Sequence, residues 1–275
     1  MKKPLLPLVI LCISLPGLRG QTLFEKDLTA DLTSLGVSAN AMNSMLVDGN
    51  DVWMVPGQSW PNFRYFNTQG ILRWNGTSLA HYAQSNLKLS NDSVYRLLSY
   101  KTDVLALTAA GIKRFDGTEF KDFTGISGLP TQKVYDLIEY GSVTFLATDK
   151  GLCTKSASGI KVYNTTHGLP ESNCYKLVPL NGRVYGLTYS SVFEFDTTSG
   201  KIDTIFWPKA AGTRLFIAPL NGFLAISSSY HSDTFPYKTA FYKNGALYNL
   251  RQVAERCSHR LVLTAGESSN SAGPG

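Results

Sequence analysis

Two stretches of the chain concentrate side chains that could recognise a ligand. Segment 55–69 carries Trp60, Phe63, Arg64, Tyr65 and Phe66, and segment 227–238 carries Tyr230, His231, Phe235 and Tyr237. Flat rings beside a guanidinium or an imidazole can stack on a sugar ring or grip a protein partner, and surface loops are where such groups usually act. The candidate ligand-binding residues are therefore Trp60, Arg64, Tyr65, Tyr230, His231 and Tyr237. The same rings could instead pack on the structure beneath and close an edge. His167 and the pair Asp149 and Lys150 lie beside turns, and turn chemistry accounts for them equally well. Asn75, Asn91 and Asn164 each open an N-x-S/T triplet, which matters only in a secretory pathway that reads it.

Catalytic constellations are missing. The sequence has no HExxH, no GxSxG, no phosphate-binding GxxxxGK[ST] and no dinucleotide fingerprint after a strand. His81, His167, His231 and His259 are scattered without metal-ligand spacing. No catalytic residue, metal ligand or cofactor is assigned, and the chain is expected to be no enzyme. A hydrolase or lyase with carboxylates paired across repeats is the least favoured reading. Cys153, Cys174 and Cys257 include no CxxC, so a dense disulfide framework is excluded. One bridge among them is possible, and the sequence names no pair.

The elements that must position these groups come from a repeat. Segment 91–130 aligns without a gap on segment 131–170. Val94, Tyr95 and Leu97 fall on Val134, Tyr135 and Leu137. Thr108 and Gly111 fall on Thr148 and Gly151, and Gly128-Leu129-Pro130 falls on Gly168-Leu169-Pro170. A weaker copy follows through Cys174, Tyr175, Leu177 and Thr188. An earlier one starts near Met42, and a last one covers 213–250. Each copy holds four short runs rich in β-branched and aromatic residues, separated by turns such as Asp116-Gly117 and Asn75-Gly76. Four antiparallel strands per copy of about 40 residues is the blade of a β-propeller, an all-β fold. A helical repeat of the same period would need long runs at 3.6 spacing, and none is present. Five copies are visible, and 21–38 could complete a sixth blade. Both aromatic segments are insertions between the second and third strands of their copies. They are expected to rise on one propeller face, together with the GLP connections.

The ends frame the array. Lys2 and Lys3 precede an apolar run over 5–15, and Pro16, Gly17 and Gly20 break it. This has the layout of a signal peptide, 1–20, too short to span a bilayer. The propeller is placed at 21–250 and an irregular tail at 251–275. That tail suggests an array continuing beyond this chain. With 26 Lys and Arg against 20 Asp and Glu the net charge is +6, and loss of Lys2, Lys3 and Arg19 would bring it to +3. No basic run exists, so nucleic acid is not an expected partner. After removal of the leader no membrane span is expected, and the chain is placed in the periplasm or outside the cell.

The columns Gly128-Leu129-Pro130, Tyr135, Leu137, Leu146, Thr148, Gly151, Tyr163 and Gly168-Leu169-Pro170 resemble the two-component regulator propeller repeat. The resemblance covers roughly 42–250. It implies the exported sensor of a hybrid histidine kinase of Bacteroidetes-type bacteria, non-catalytic, with a polysaccharide or other small ligand on one face. The usual Trp of the second strand survives only as Trp53, with Leu105 and Phe145 in the matching places. Segment 55–78 is also similar to exported propellers of the type IX secretion apparatus. That likeness implies an interaction scaffold with a protein partner as the alternative.

Overall fold

The structure is a computed structural model and describes residues 10–12, 23–25, 27–37, 41–60, 65–205, 215–228 and 239–248. Two short strands, β1 (Ile10–Cys12) and β2 (Leu23–Glu25), pair antiparallel. A six-residue helix, α1 (Thr29–Ser34), follows. Every later element is a strand or a single 3-10 turn.

Each copy of the repeat forms one antiparallel meander. The first blade runs β3 (Met42–Asp48), β4 (Asp51–Trp60), β5 (Tyr65–Thr68), β6 (Ile71–Trp74) and β7 (Leu79–Tyr82). Its sheet order is β3-β4-β6-β7, with β5 added on β4. The second blade is β8 (Val94–Tyr100), β9 (Asp103–Thr108), β10 (Gly111–Phe115) and β11 (Phe120–Asp122). The third is β12 (Val134–Tyr140), β13 (Val143–Thr148), β14 (Gly151–Ser156) and β15 (Gly159–Tyr163). The fourth is β16 (Lys176–Leu180), β17 (Arg183–Leu187), β18 (Val192–Asp196) and β19 (Ile202–Ile205). The fifth is β20 (Leu215–Leu220), β21 (Phe223–Ser228), β22 (Thr239–Lys243) and β23 (Ala246–Tyr248). The fold class is all-β, an array of four-stranded propeller blades. The described residues of segment 21–38, which could have completed a sixth blade, form β2 and α1, and β2 pairs with β1.

The chain divides into two compact units, 1–135 and 136–275. In the first, the facing surfaces of the first two blades bury Trp53, Val55, Ile71, Tyr82, Val94, Leu97 and Phe120 in one cluster. Trp53 is the largest fully buried side chain and meets Phe115 and Phe120 edge-on at 4.8 and 5.8 Å. The other face of the first blade is covered by the helical segment. Leu28, Leu32, Leu35 and Val37 pack on Val52, Met54 and Leu72. In the second unit, Phe145, Ala147, Leu152 and Leu169 pack on Leu177, Val184 and Phe193 of the next blade. Val178, Tyr185 and Val192 then pack on Leu215, Leu224 and Ile226 of the fifth. A sheet alternates its side chains between two faces, so each blade needs a neighbour on both.

Polar contacts between innermost strands reinforce this packing. The Asn43 side-chain amide donates to the carbonyls of Val94 and Tyr95 at 3.2 and 2.9 Å, and Ser44 Oγ accepts the Leu97 N–H at 3.1 Å. In the second unit the fully buried Asp136 accepts the Leu177 N–H at 3.0 Å, with the Lys176 ammonium at 3.4 Å. A buried carboxylate needs this kind of satisfaction to be tolerated.

The cysteine question has a geometric answer for two of the three. Cys153 and Cys174 are free and buried. Cys174 lies in the cluster that holds Leu152, whereas Cys153 follows Leu152 in β14 and faces the other side of the sheet. No bridge joins this pair. Cys257 lies outside the described residues.

Candidate functional site

The turn from second to third strand is built the same way in three blades. Thr108, Thr148 and Thr188 end β9, β13 and β17 or follow them directly, and all three are fully buried. Each hydroxyl donates to the carbonyl three residues on, at 2.8 Å to Gly111 and Gly151 and 3.1 Å to Ser191. Thr108 and Thr148 also accept the N–H two residues on, at 3.2 and 3.1 Å. Gly151 takes φ +112, and a Cβ there would meet the Tyr163 carbonyl oxygen at 2.2 Å. The Thr and Gly columns of the repeat are thus a turn clamp, and their role is structural.

The GLP motif has a similar reading. The side chain of Asn164 accepts the Thr166 N–H and opens a 3-10 turn, Thr165–His167. Gly168 closes it in the left-handed region at φ +92. Leu169 then drops into the core between the third and fourth blades. His167 is exposed with Nδ1 at 2.9 Å from Asn164 Oδ1, so it serves this cap.

In the first blade the same strand boundary is opened out into a hairpin. β4 continues past the point where it leaves β6 and pairs with β5, bringing Gly57 opposite Thr68 and Trp60 opposite Tyr65. Trp60 and Tyr65 are therefore neighbours across one ladder, as backbone. Arg64 lies outside the described residues. The hairpin base is tied down firmly. Thr68 Oγ1 accepts the Val94 N–H at 3.0 Å and donates to the Asp92 carbonyl at 2.5 Å, and the Gly57 N–H donates to Ala41 at 2.8 Å. In the fifth blade Ser227 pairs with Thr239 across β21 and β22, which frames the second insertion. Tyr230, His231 and Tyr237 lie outside the described residues.

A polar and aromatic cluster missed by sequence reasoning sits at the second-to-third-strand turn of the fourth blade. Glu171, just past GLP, accepts the Ser190 N–H at 3.0 Å and the Ser190 hydroxyl. Asn173 donates to the Tyr175 hydroxyl at 2.9 Å, and burial pushes that hydroxyl above the ordinary tyrosine range. Tyr189, in the turn beside Ser190, is 40% exposed. A ring, an amide and a carboxylate offer a stacking surface with both donors and acceptors. The only clue in the sequence was a Tyr at a turn position where the matching repeats have Ala109 and Asp149.

At the far end of the same blade Arg183 bridges Glu194 and Asp196 at 3.0 and 2.6 Å. Tyr242 donates to Glu194 at 3.1 Å. Arg183 thus ties β17 to β18 within the fourth blade, and Glu194 reaches the fifth through Tyr242. Among the described residues no group of three His, Cys, Asp or Glu side chains could hold a metal ion. Among them, too, no helix is long and apolar enough to cross a membrane.

No family profile matches the sequence, and no curated protein is significantly similar to it. Solved structures do match. The extracellular domain of a hybrid two-component system from B. thetaiotaomicron superposes with a TM-score of 0.58 over 78% of this chain, at 16% identity. The extracellular domain of a one-component system from the same organism gives 0.59 over 76%, at 12% identity. The chain has their propeller fold. It covers 30% of the length of each of these two proteins. The fold that the GLP columns led one to expect is thus the fold of these two extracellular domains. PorZ, a surface component of the type IX secretion system of Porphyromonas gingivalis, gives a TM-score of 0.45 over 76% of this chain, at 11% identity. That is too distant to bear on a secretion role.

Proposed function

We propose that this chain is an exported, non-catalytic recognition propeller that takes a soluble ligand, a glycan first, through second-to-third-strand loops of its blades. The observation that supports this is the treatment of one loop position. Where other blades close it with a buried threonine clamp, the first blade builds a paired hairpin bearing Trp60 and Tyr65. The fifth blade carries Tyr230, His231 and Tyr237 at the matching place, and the fourth presents Tyr189 beside Glu171. Extended loops on a rigid scaffold are where binding residues concentrate. The fold shared with extracellular regulator domains agrees with export and with sensing, as an analogy of fold.

The test is a glycan array on the purified chain, with the double variant Trp60→Ala, Tyr230→Ala beside it. Saturable binding to one glycan class, weakened on the order of a hundredfold in the variant, is expected, since aromatic truncation at a stacking site removes a few kcal/mol. Binding that the variant retains in full would overturn the assignment of the site. A chain that binds no glycan and captures one defined protein would overturn the ligand class.

A further inference from the structure

The fifth blade holds a site of covalent change, at the end of β21 opposite its insertion and independent of the ligand reading. Asparagine before glycine is chemically labile. The glycine nitrogen attacks the asparagine side-chain carbonyl carbon, a new C–N bond closes a succinimide ring, and ammonia leaves with the proton that nitrogen gives up. Water then opens the ring to aspartate or isoaspartate, and nothing is oxidised or reduced. Glycine permits the attack because no Cβ hinders its nitrogen. The sequence has four such pairs, beginning at Asn75, Asn181, Asn221 and Asn244.

The structure separates the four. Asn75 is held by its own turn, where its Oδ1 accepts the Thr77 and Ser78 N–H groups at 3.0 and 2.9 Å and the Ser78 hydroxyl at 3.3 Å. Asn181 is held by the next blade, its Nδ2 donating to the Gly222 carbonyl at 2.9 Å. Asn221 and Asn244 are exposed, and among the described residues neither side chain finds a hydrogen-bond partner. Each opens a tight turn, between Leu220 and Phe223 or between Lys243 and Ala246, at φ +47 and +52. Asparagine and glycine are the residues that accept the left-handed region such turns need.

Surroundings divide these two. A Cβ on Gly222 would meet the Lys243 ammonium nitrogen at 3.6 Å, whereas one on Gly245 would meet nothing within 4 Å. Lys243 reaches over from the neighbouring strand β22, with Nζ 4.8 Å from the centre of the Phe223 ring. A cation beside the attacking nitrogen favours loss of its proton and stabilises the negative charge that develops on the carbonyl oxygen.

We propose that Asn221 is a site of spontaneous deamidation, promoted by Lys243, and that its conversion loosens the fifth blade from the fourth. Either product sets a carboxylate beside Lys243. Isoaspartate also adds a backbone carbon directly before Gly222, whose carbonyl holds Asn181 of the fourth blade. The test ages the purified chain in mildly alkaline buffer and follows its tryptic peptides by mass. Segment 215–238 is one such peptide and contains no other asparagine. Asn221 should convert first, Asn244 more slowly, and Asn75 and Asn181 last. Lys243→Met keeps a stem over Phe223 and removes the charge. It should slow Asn221 by about fivefold, the worth of a unit charge about 4 Å away in water, and leave Asn244 unchanged. The isoaspartate form, isolated by ion exchange, should unfold at lower urea than the parent. Faster conversion at any other pair, equal rates at Asn221 in parent and Lys243→Met, or an unshifted urea midpoint for the isoaspartate form would overturn the proposal.

Discussion

At the scale of single residues, the repeat signature divides into positions that build turns and positions free to do something else. Thr148 belongs to the first kind. Its hydroxyl donates to Gly151 and accepts from Lys150, and it sees no water. Thr148→Val keeps the shape and orphans both partners, so it should cost about 1–3 kcal/mol. Urea unfolding of the two proteins measures this directly, and an unchanged midpoint would mean that the hydroxyl is dispensable. Position 189, between two clamp residues of the same motif, is the opposite case. Its side chain is 40% exposed and the clamp bonds run through Thr188 and Ser191, so the residue there can be chosen for contact. The columns were legible because turn chemistry restricts residue type. Glu171 was not, because a carboxylate folded onto a distant serine leaves no local pattern.

At the scale of elements, the strands were readable and the additions to them were not. Short apolar runs separated by turns such as Asn75-Gly76 and Asp116-Gly117 marked four strands per copy, and the second to fifth blades each show four. Segment 55–69 gave only an insertion, because its aromatic content suits a stacking loop and a paired hairpin equally. The ladder from Gly57 to Trp60 decides for the hairpin. Likewise α1 was hidden, since six residues with three leucines nearby look like one more strand until the face they cover is known. The hairpin also separates binding from edge closure. Replacing 58–67 by a tight turn leaves Gly57, Thr68 and their bonds in place. The melting transition should stay within about 1 kcal/mol of the parent, because loop length is thermodynamically cheap. Ligand capture should disappear. A large loss of stability would instead show that the aromatic rings close the blade and recognise nothing.

At the scale of the molecule, stability rests on blade-to-blade contacts, and the fourth blade shows how pH should act on them. Burial, with the Glu194 carboxylate beside it, pushes the Tyr185 hydroxyl well above the ordinary tyrosine range. Tyr242 and Tyr175 are raised for the same first reason, burial. Tyr185 and Tyr242 meet edge-on at 5.9 Å across the contact between the fourth and fifth blades, where Arg183 pairs with the same Glu194. An acid whose folded pKa is raised keeps its proton in the folded state after the unfolded chain has begun to lose it. The stabilisation is therefore fully present below the unfolded value of about 10 and is lost as pH rises past it. The urea midpoint should be flat across neutral pH and fall above about pH 10, by up to roughly 1.4 kcal/mol per pH unit for each tyrosine involved. Tyr185→Phe keeps the ring contact and removes one ionisation, so its curve should fall less steeply on the alkaline side. Parallel curves for parent and variant would mean that this blade contact stays closed only after Tyr185 has ceased to matter, and would move the alkaline weak point to Tyr175 and the mouth of the fourth blade.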